Sequence, residues 1–237
     1  GEGPNIHADN PDRINVTNLR VADSPQVPTT SPAAVELETD GGPITVTDSN
    51  FSDISRGALE INAADRNGFG EGDATVRNVT ISDYGNETPD ELGLDVDATA
   101  DITISNTSVV RGGTSSEKSE YAILARSDGG SFVFENSTVR NVSSDRAVDI
   151  SADDNGLVRN VTIHNNTGGI GDNAGLFVDT DGRLDVRNVS ITQTGEGWAG
   201  SFSGEPADVR NLTVDQTVEK GVQVSSFDEG TTLRDAV

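Results

Sequence analysis

The sequence predicts an all-β solenoid of about eight to nine coils stacked on one another, and three observations carry that prediction. First, one phrase recurs: Val76-Arg77-Asn78-Val79-Thr80-Ile81, Val158-Arg159-Asn160-Val161-Thr162-Ile163, Val186-Arg187-Asn188-Val189-Ser190-Ile191 and Val209-Arg210-Asn211-Leu212-Thr213-Val214. Looser copies place Asn18, Asp48, Asn106 and Asn136 at the same anchor, so successive anchors lie 23–30 residues apart. Second, apolar residues alternate with polar ones on both sides of the anchor. Third, each unit carries a further apolar run, such as Gly57-Ala58-Leu59-Glu60-Ile61 or Ala147-Val148-Asp149-Ile150.

Each element of the unit follows from these patterns. Val76 faces inward before the anchor, and Val79 and Ile81 face inward after it, which describes two short strands. Their inward phase carries across only if Asn78 makes a sharp corner, and Asn tolerates the left-handed conformation that such a corner needs. The further apolar run supplies a third strand, and stretches rich in Gly, Asp, Ser and Asn supply the turns. The anchors then stack into an Asn ladder. Three short strands around an Asn corner resemble the right-handed parallel β-helix of the pectate-lyase-like superfamily, from Ile14 to Val237. The whole chain, 1–237, reads as one such domain. The left-handed hexapeptide helix needs a shorter, stricter repeat, leucine-rich repeats need regular Leu positions, and a β-sandwich is the minor alternative. Leu233-Arg234-Asp235-Ala236-Val237 repeats the phrase, so the chain is expected to stop inside a ninth coil, its open end covered by more chain or by another subunit. Like subunits or adjoining domains are the partners expected there.

The chain carries 40 acidic and 16 basic residues, a net charge of −24, with Lys118 and Lys220 its only lysines. The acids are spread evenly over a persistent strand pattern, which argues for a folded domain rather than an acidic tail. This surface is similar to that of secreted or surface proteins of halophilic archaea, where dense salt screens the self-repulsion. There is no basic stripe to hold nucleic acid, and no apolar run long enough to span a bilayer. There is no Cys, and therefore no disulfide framework or thiolate chemistry. The chain starts at Gly1, which reads as a processed product or an excised piece. Acidity, repeat fold and many Asn-x-Ser/Thr sequons favour an extracellular, cell-surface location.

The anchors Asn78, Asn106, Asn136, Asn160, Asn188 and Asn211 are all sequons, but a laddered amide is a poor glycan acceptor. Asn15, Asn50, Asn86, Asn141 and Asn165 are the sequons expected off the ladder, with Asn86 and Asn165 in loops. Arg159, Arg187 and Arg210 precede the anchor in consecutive units and form a column. Such a column suits bidentate binding of sulfated or uronic glycans, or, as the favoured reading, pairing with flanking acids such as Asp185 and Asp208. Asp179, Asp181 and Asp185 around Gly182 are a candidate Ca2+ site, with a plain turn as the simpler reading. Asp153-Asp154 before Asn155-Gly156 resembles the paired carboxylates of polygalacturonase-like hydrolases, yet that family's Gly-His-Gly and Arg-Ile-Lys elements are absent. His7 and His164 are too far apart in the stack for a triad or metal site. Trp198 and Tyr121 read as too isolated for a sugar-stacking platform.

With no catalytic signature, the expected function is a structural or adhesive cell-surface module, in a filament or surface layer. The alternatives are a polysaccharide lyase or hydrolase and an acidic-glycan-binding module. A cluster of outward carboxylates beside an Arg on one face would favour the enzyme.

Overall fold

Among the described residues, successive units lay parallel strands on three faces, and like strands of neighbouring units pair side by side. The structure, a computed structural model, describes residues 6–9, 12–24, 33–64, 72–85, 92–113, 119–167, 173–195, 197–216, 220–226 and 230–236. Among these, the further apolar runs build one nine-stranded sheet. Its strands, in order, are Ile6–Asp9, Ala33–Glu38, Gly57–Ala63, Leu94–Ala98, Ser119–Ser127, Ser144–Ala152, Asn173–Thr180, Trp198–Ser203 and Lys220–Ser225. We call this the first face.

The strands on either side of the anchor form the other two faces, joined into one 14-stranded sheet. Early coils break at the anchor, as in Ile44–Thr47 and Asn50–Ile54. Later coils run through it as one bent strand, as in Gly156–Asn166 and Leu184–Thr194. The corner itself is the same throughout: Asn18, Asp48, Asn78, Asn106, Asn136, Asn160, Asn188, Asn211 and Asp235 all have φ between 50° and 57°. The ladder is present too. The Nδ2 of Asn160, Asn188 and Asn211 each donates to the Oδ1 one coil earlier, at 2.9, 3.0 and 2.7 Å.

Five residues after each of seven anchors stands a second left-handed corner: Asp53, Asp83, Arg111, Asn141, Asn165, Gln193 and Gln216, with φ of 54–56°. These residues also pair between coils. Arg111 donates to both Asp83 oxygens at 2.6 and 2.7 Å, Asn165 to Asn141 at 2.9 Å and Gln193 to Gln216 at 2.9 Å. Strand-capable residues such as Arg and Gln rarely adopt this conformation, so the stack itself holds them there.

The core is a set of aliphatic columns along the axis. Leu37, Ile61, Val96, Ala125, Ile150, Val178 and Phe202 pair in sequence on the first face, and Val46, Val76, Ile104, Phe134, Val158, Val186 and Val209 on the second. All are buried. Close packing explains two glycines: a Cβ on Gly156 would lie 2.4 Å from the Phe132 ring, and one on Gly175 1.9 Å from the Ala199 carbonyl oxygen.

Candidate functional site

In a strand that buries Val35 and Leu37, Glu36 must point outward, and the same alternation turns Glu60 and Asp95 outward one and two coils on. Register then brings them together: His7 faces Glu36, Glu36 faces Glu60, and Glu60 faces Asp95. A second outward column runs through Glu38, Asn62, Asp97 and Arg126. Strands in register lie ~4.8 Å apart and outward neighbours along a strand about 6.6 Å apart. Five carboxyls and a guanidinium therefore share one small area of the first face.

The electrostatics follow from that crowding. Burial, then the charges of Asp97 and Glu60, push the Asp95 carboxyl up to about 7, against an opposing pull from Arg126. Glu60 is raised by burial and by Glu36, Asp97 and Glu38. Asp97 is raised by burial while Arg126, whose Nη1 lies 4.0 Å from its Oδ1, draws it back. Among the described residues, Asp95 Oδ1 and Glu60 Oε2 are buried with no hydrogen-bond partner. Asp95 therefore holds its proton well above the usual carboxylate range, in a crowd of acids that are themselves raised.

The next coils of the same face carry the outward aromatics. Arg146 lies over the Tyr121 ring at 5.8 Å and over the Phe177 ring at 5.1 Å, and its Nη1 donates to Asp149 Oδ2. Asp149 is 8 % exposed, and burial raises its carboxyl against the pull of Arg146. Of the described aromatic residues, Phe51, Tyr84, Phe132, Phe134 and Phe202 lie in the core. The remaining three, Tyr121, Phe177 and Trp198, all lie on strands of the first face. The isolation expected for Tyr121 and Trp198 is thus corrected for Tyr121: coil stacking supplies Arg146 and Phe177 as neighbours that are distant in sequence.

The other sequence candidates lie elsewhere. Arg159 pairs with Glu135, Arg187 with Asp185 and Arg210 with Asp208, so the Arg column of the second face is internally neutralised, the reading the sequence favoured. Hydrogen bonds from Arg210 hold the Asp208 carboxyl below its usual range. Asp179 stands on the first face, Asp181 in the following turn, and Asp185 beside Arg187. Among the described residues, no group of three or more His, Asp or Glu side chains is placed to hold a metal ion. Asp153 and Asp154 occupy an exposed turn. His164 is exposed, its Nδ1 2.8 Å from Thr192 Oγ1, and His7 Nδ1 lies 3.4 Å from Glu36. Asn15 and Asn50 are exposed strand residues, and Asn86 lies outside the described residues. Asn165, expected in a loop, instead lies within a strand at the second left-handed corner, where its amide donates to Asn141 one coil earlier.

Glu36, Glu60 and Asp95 were not singled out from the sequence as a site. The available signal was an acid between two core aliphatics at the same offset in successive units, Val35-Glu36-Leu37, Leu59-Glu60-Ile61 and Leu94-Asp95-Val96.

A fold of this kind, three faces of parallel strands wound around an apolar core, defines a parallel β-solenoid. The family model described as "Right handed beta helix region" matches residues 5–235, and the chain belongs to that family. No curated protein and no solved structure is matched.

Proposed function

We propose that the first face cleaves a polysaccharide by acid–base hydrolysis, with Asp95 as the general acid and Asp97 as the general base. The observation that carries this reading is the Asp95 carboxyl, pushed up to about 7 by burial and by Asp97, itself raised by burial but drawn back by Arg126. A carboxyl that keeps its proton toward the neutral range, beside a second that a guanidinium draws toward ionisation, suits the acid and base roles of glycoside hydrolysis. Their Cα atoms stand about 6.6 Å apart along one strand at ~3.3 Å per residue, with both side chains on the same face, and carboxyl groups roughly 6.5–9.5 Å apart are those that leave room for the attacking water of an inverting mechanism. Asp97 would take a proton from that water as its oxygen attacks the anomeric carbon. The glycosidic bond breaks, and the leaving oxygen takes the proton of Asp95. The product has inverted anomeric configuration, and exchange with solvent restores both carboxyls.

The test is release of reducing ends from soluble β-glucan, xylan and galactomannan in molar salt, comparing wild type with Asp95→Asn, Asp97→Asn and the distant control Arg187→Ala. Cleavage by wild type and control, with loss of about a hundredfold or more in both Asn variants, is the expected result. No cleavage of any polymer, or full activity in Asp95→Asn, would end the proposal.

The structural or adhesive surface module is the second reading, and the self-neutralised Arg column supports it, since that face asks for no ligand. An extracellular, cell-surface location with like subunits as partners belongs to this reading. A polysaccharide substrate suits the same location.

A further inference from the structure

We infer that Tyr121, Arg146 and Phe177, with Asp149, form a sugar-binding subsite for a neutral polysaccharide chain that runs along the solenoid axis. This rests on the hydrolase reading and extends it to the substrate. Phe177 is in register with Asp149, which follows Leu124 and Asp95 in the same outward column. The subsite and the reacting carboxyls are therefore on one face, with Tyr121 one coil, Arg146 and Asp149 two coils and Phe177 three coils from Asp95, the last about 14 Å away at the ~4.8 Å strand spacing. A short run of sugar units spans that distance.

The cluster is held ready before any ligand arrives. Arg146 sits between two rings and donates to Asp149, so its rotamer and those of Tyr121 and Phe177 are fixed together. Phe177 and Tyr121 are only partly buried. Each offers a ring on which the apolar face of a pyranose can stack, while the guanidinium and carboxylate edges meet its hydroxyls. The location is selective, because the described aromatics outside the core all lie on this face.

Charge sets the substrate class. Asp149 neutralises Arg146, and Arg126 faces Asp97, so neither cation is left to meet a uronate. Glu36, Glu38 and Glu60 would repel a polyanion along the same path. A neutral chain meets neither obstacle.

Affinity electrophoresis of the 237-residue chain in gels containing β-glucan, xylan, galactomannan or polygalacturonate tests this directly. At least one neutral polymer should retard the wild type, and polygalacturonate should not. Phe177→Ala should bind about tenfold more weakly, Phe177→Trp should keep the binding, and the distant control Arg187→Ala should bind as wild type does. Circular dichroism and the melting temperature of each variant establish that it is folded. Equal retardation of folded Phe177→Ala, preference for polygalacturonate, or no retardation by any neutral polymer would overturn the inference. Weakened binding in Phe177→Ala together with undiminished cleavage by Asp95→Asn would leave the subsite standing and remove the proposed catalytic role.

Discussion

Replacing Asp95 by Asn removes one negative charge from a buried place among Glu60, Glu36, Glu38 and Asp97, with Arg126 the cation beside them. The folded protein raises this carboxyl from its usual 3.8 to about 7, so the folded state holds the proton more tightly than the unfolded chain does. Stability should accordingly be fullest below about 3.8 and decline as pH climbs through about 7, where the group must ionise in place. At ~1.4 kcal/mol for each pH unit of displacement, the penalty at pH 8.5 is at most about 4 kcal/mol. Asn is isosteric and never charges. Asp95→Asn should therefore be more stable than wild type at pH 8.5, by up to about 4 kcal/mol, and nearly equal to it at pH 4. For a chain of this size that difference is roughly 8–16 °C in melting temperature. The assay is thermal unfolding of both proteins across that pH range at one fixed high salt concentration. Parallel curves, or a variant less stable at high pH, would refute the electrostatic reasoning.

Other expectations concern the scaffold. Asn188→Ala breaks two ladder bonds and puts a Cβ in a left-handed corner, so it should cost about 2 kcal/mol, while Asn188→Gly should cost about 1 kcal/mol less than Ala; urea unfolding separates the two. The double change Gln193→Asn with Gln216→Asn copies the Asn165–Asn141 pair and suits the left-handed corners better, so it should raise stability by about 1 kcal/mol in the same assay. Gly175→Ala drives a Cβ into the Ala199 backbone and should destabilise by about 3 kcal/mol or more, seen as loss of soluble folded protein. Arg187→Ala removes an exposed ion pair and should leave the melting temperature nearly unchanged. With a net charge of −24, the melting temperature should rise as salt shortens the Debye length from ~10 Å at 0.1 M to ~3 Å at 1 M.

The scaffold was legible because its signals are local and repeated. Val76-Arg77-Asn78-Val79 states two strand phases and the corner between them within four residues, and each further copy confirms the same geometry. The second corner was harder to see. Its positions hold Asp, Arg, Asn and Gln rather than one residue type, and only the constant offset from the anchor betrays them. The site was illegible for a different reason. Glu36, Glu60 and Asp95 are 24 and 35 residues apart in the chain, and each alone is an ordinary outward strand residue. Only the register Glu36–Glu60–Asp95 turns them into a crowded column, and burial together with the charges of Asp97 and Glu60 gives Asp95 its altered proton affinity. Arg146 reaches Tyr121 and Phe177 in the same manner, across coils rather than along the chain.

Carboxyl-carbon NMR of the aspartate-labelled protein, titrated from acid to alkaline pH with Asp95→Asn used to assign the signal, tests the central claim directly. The account predicts one aspartate resonance with a midpoint near 7 that disappears in Asp95→Asn. An Asp95 signal that titrates with the bulk of the aspartates, below about 5, would contradict the assignment of Asp95 as a proton donor at neutral pH.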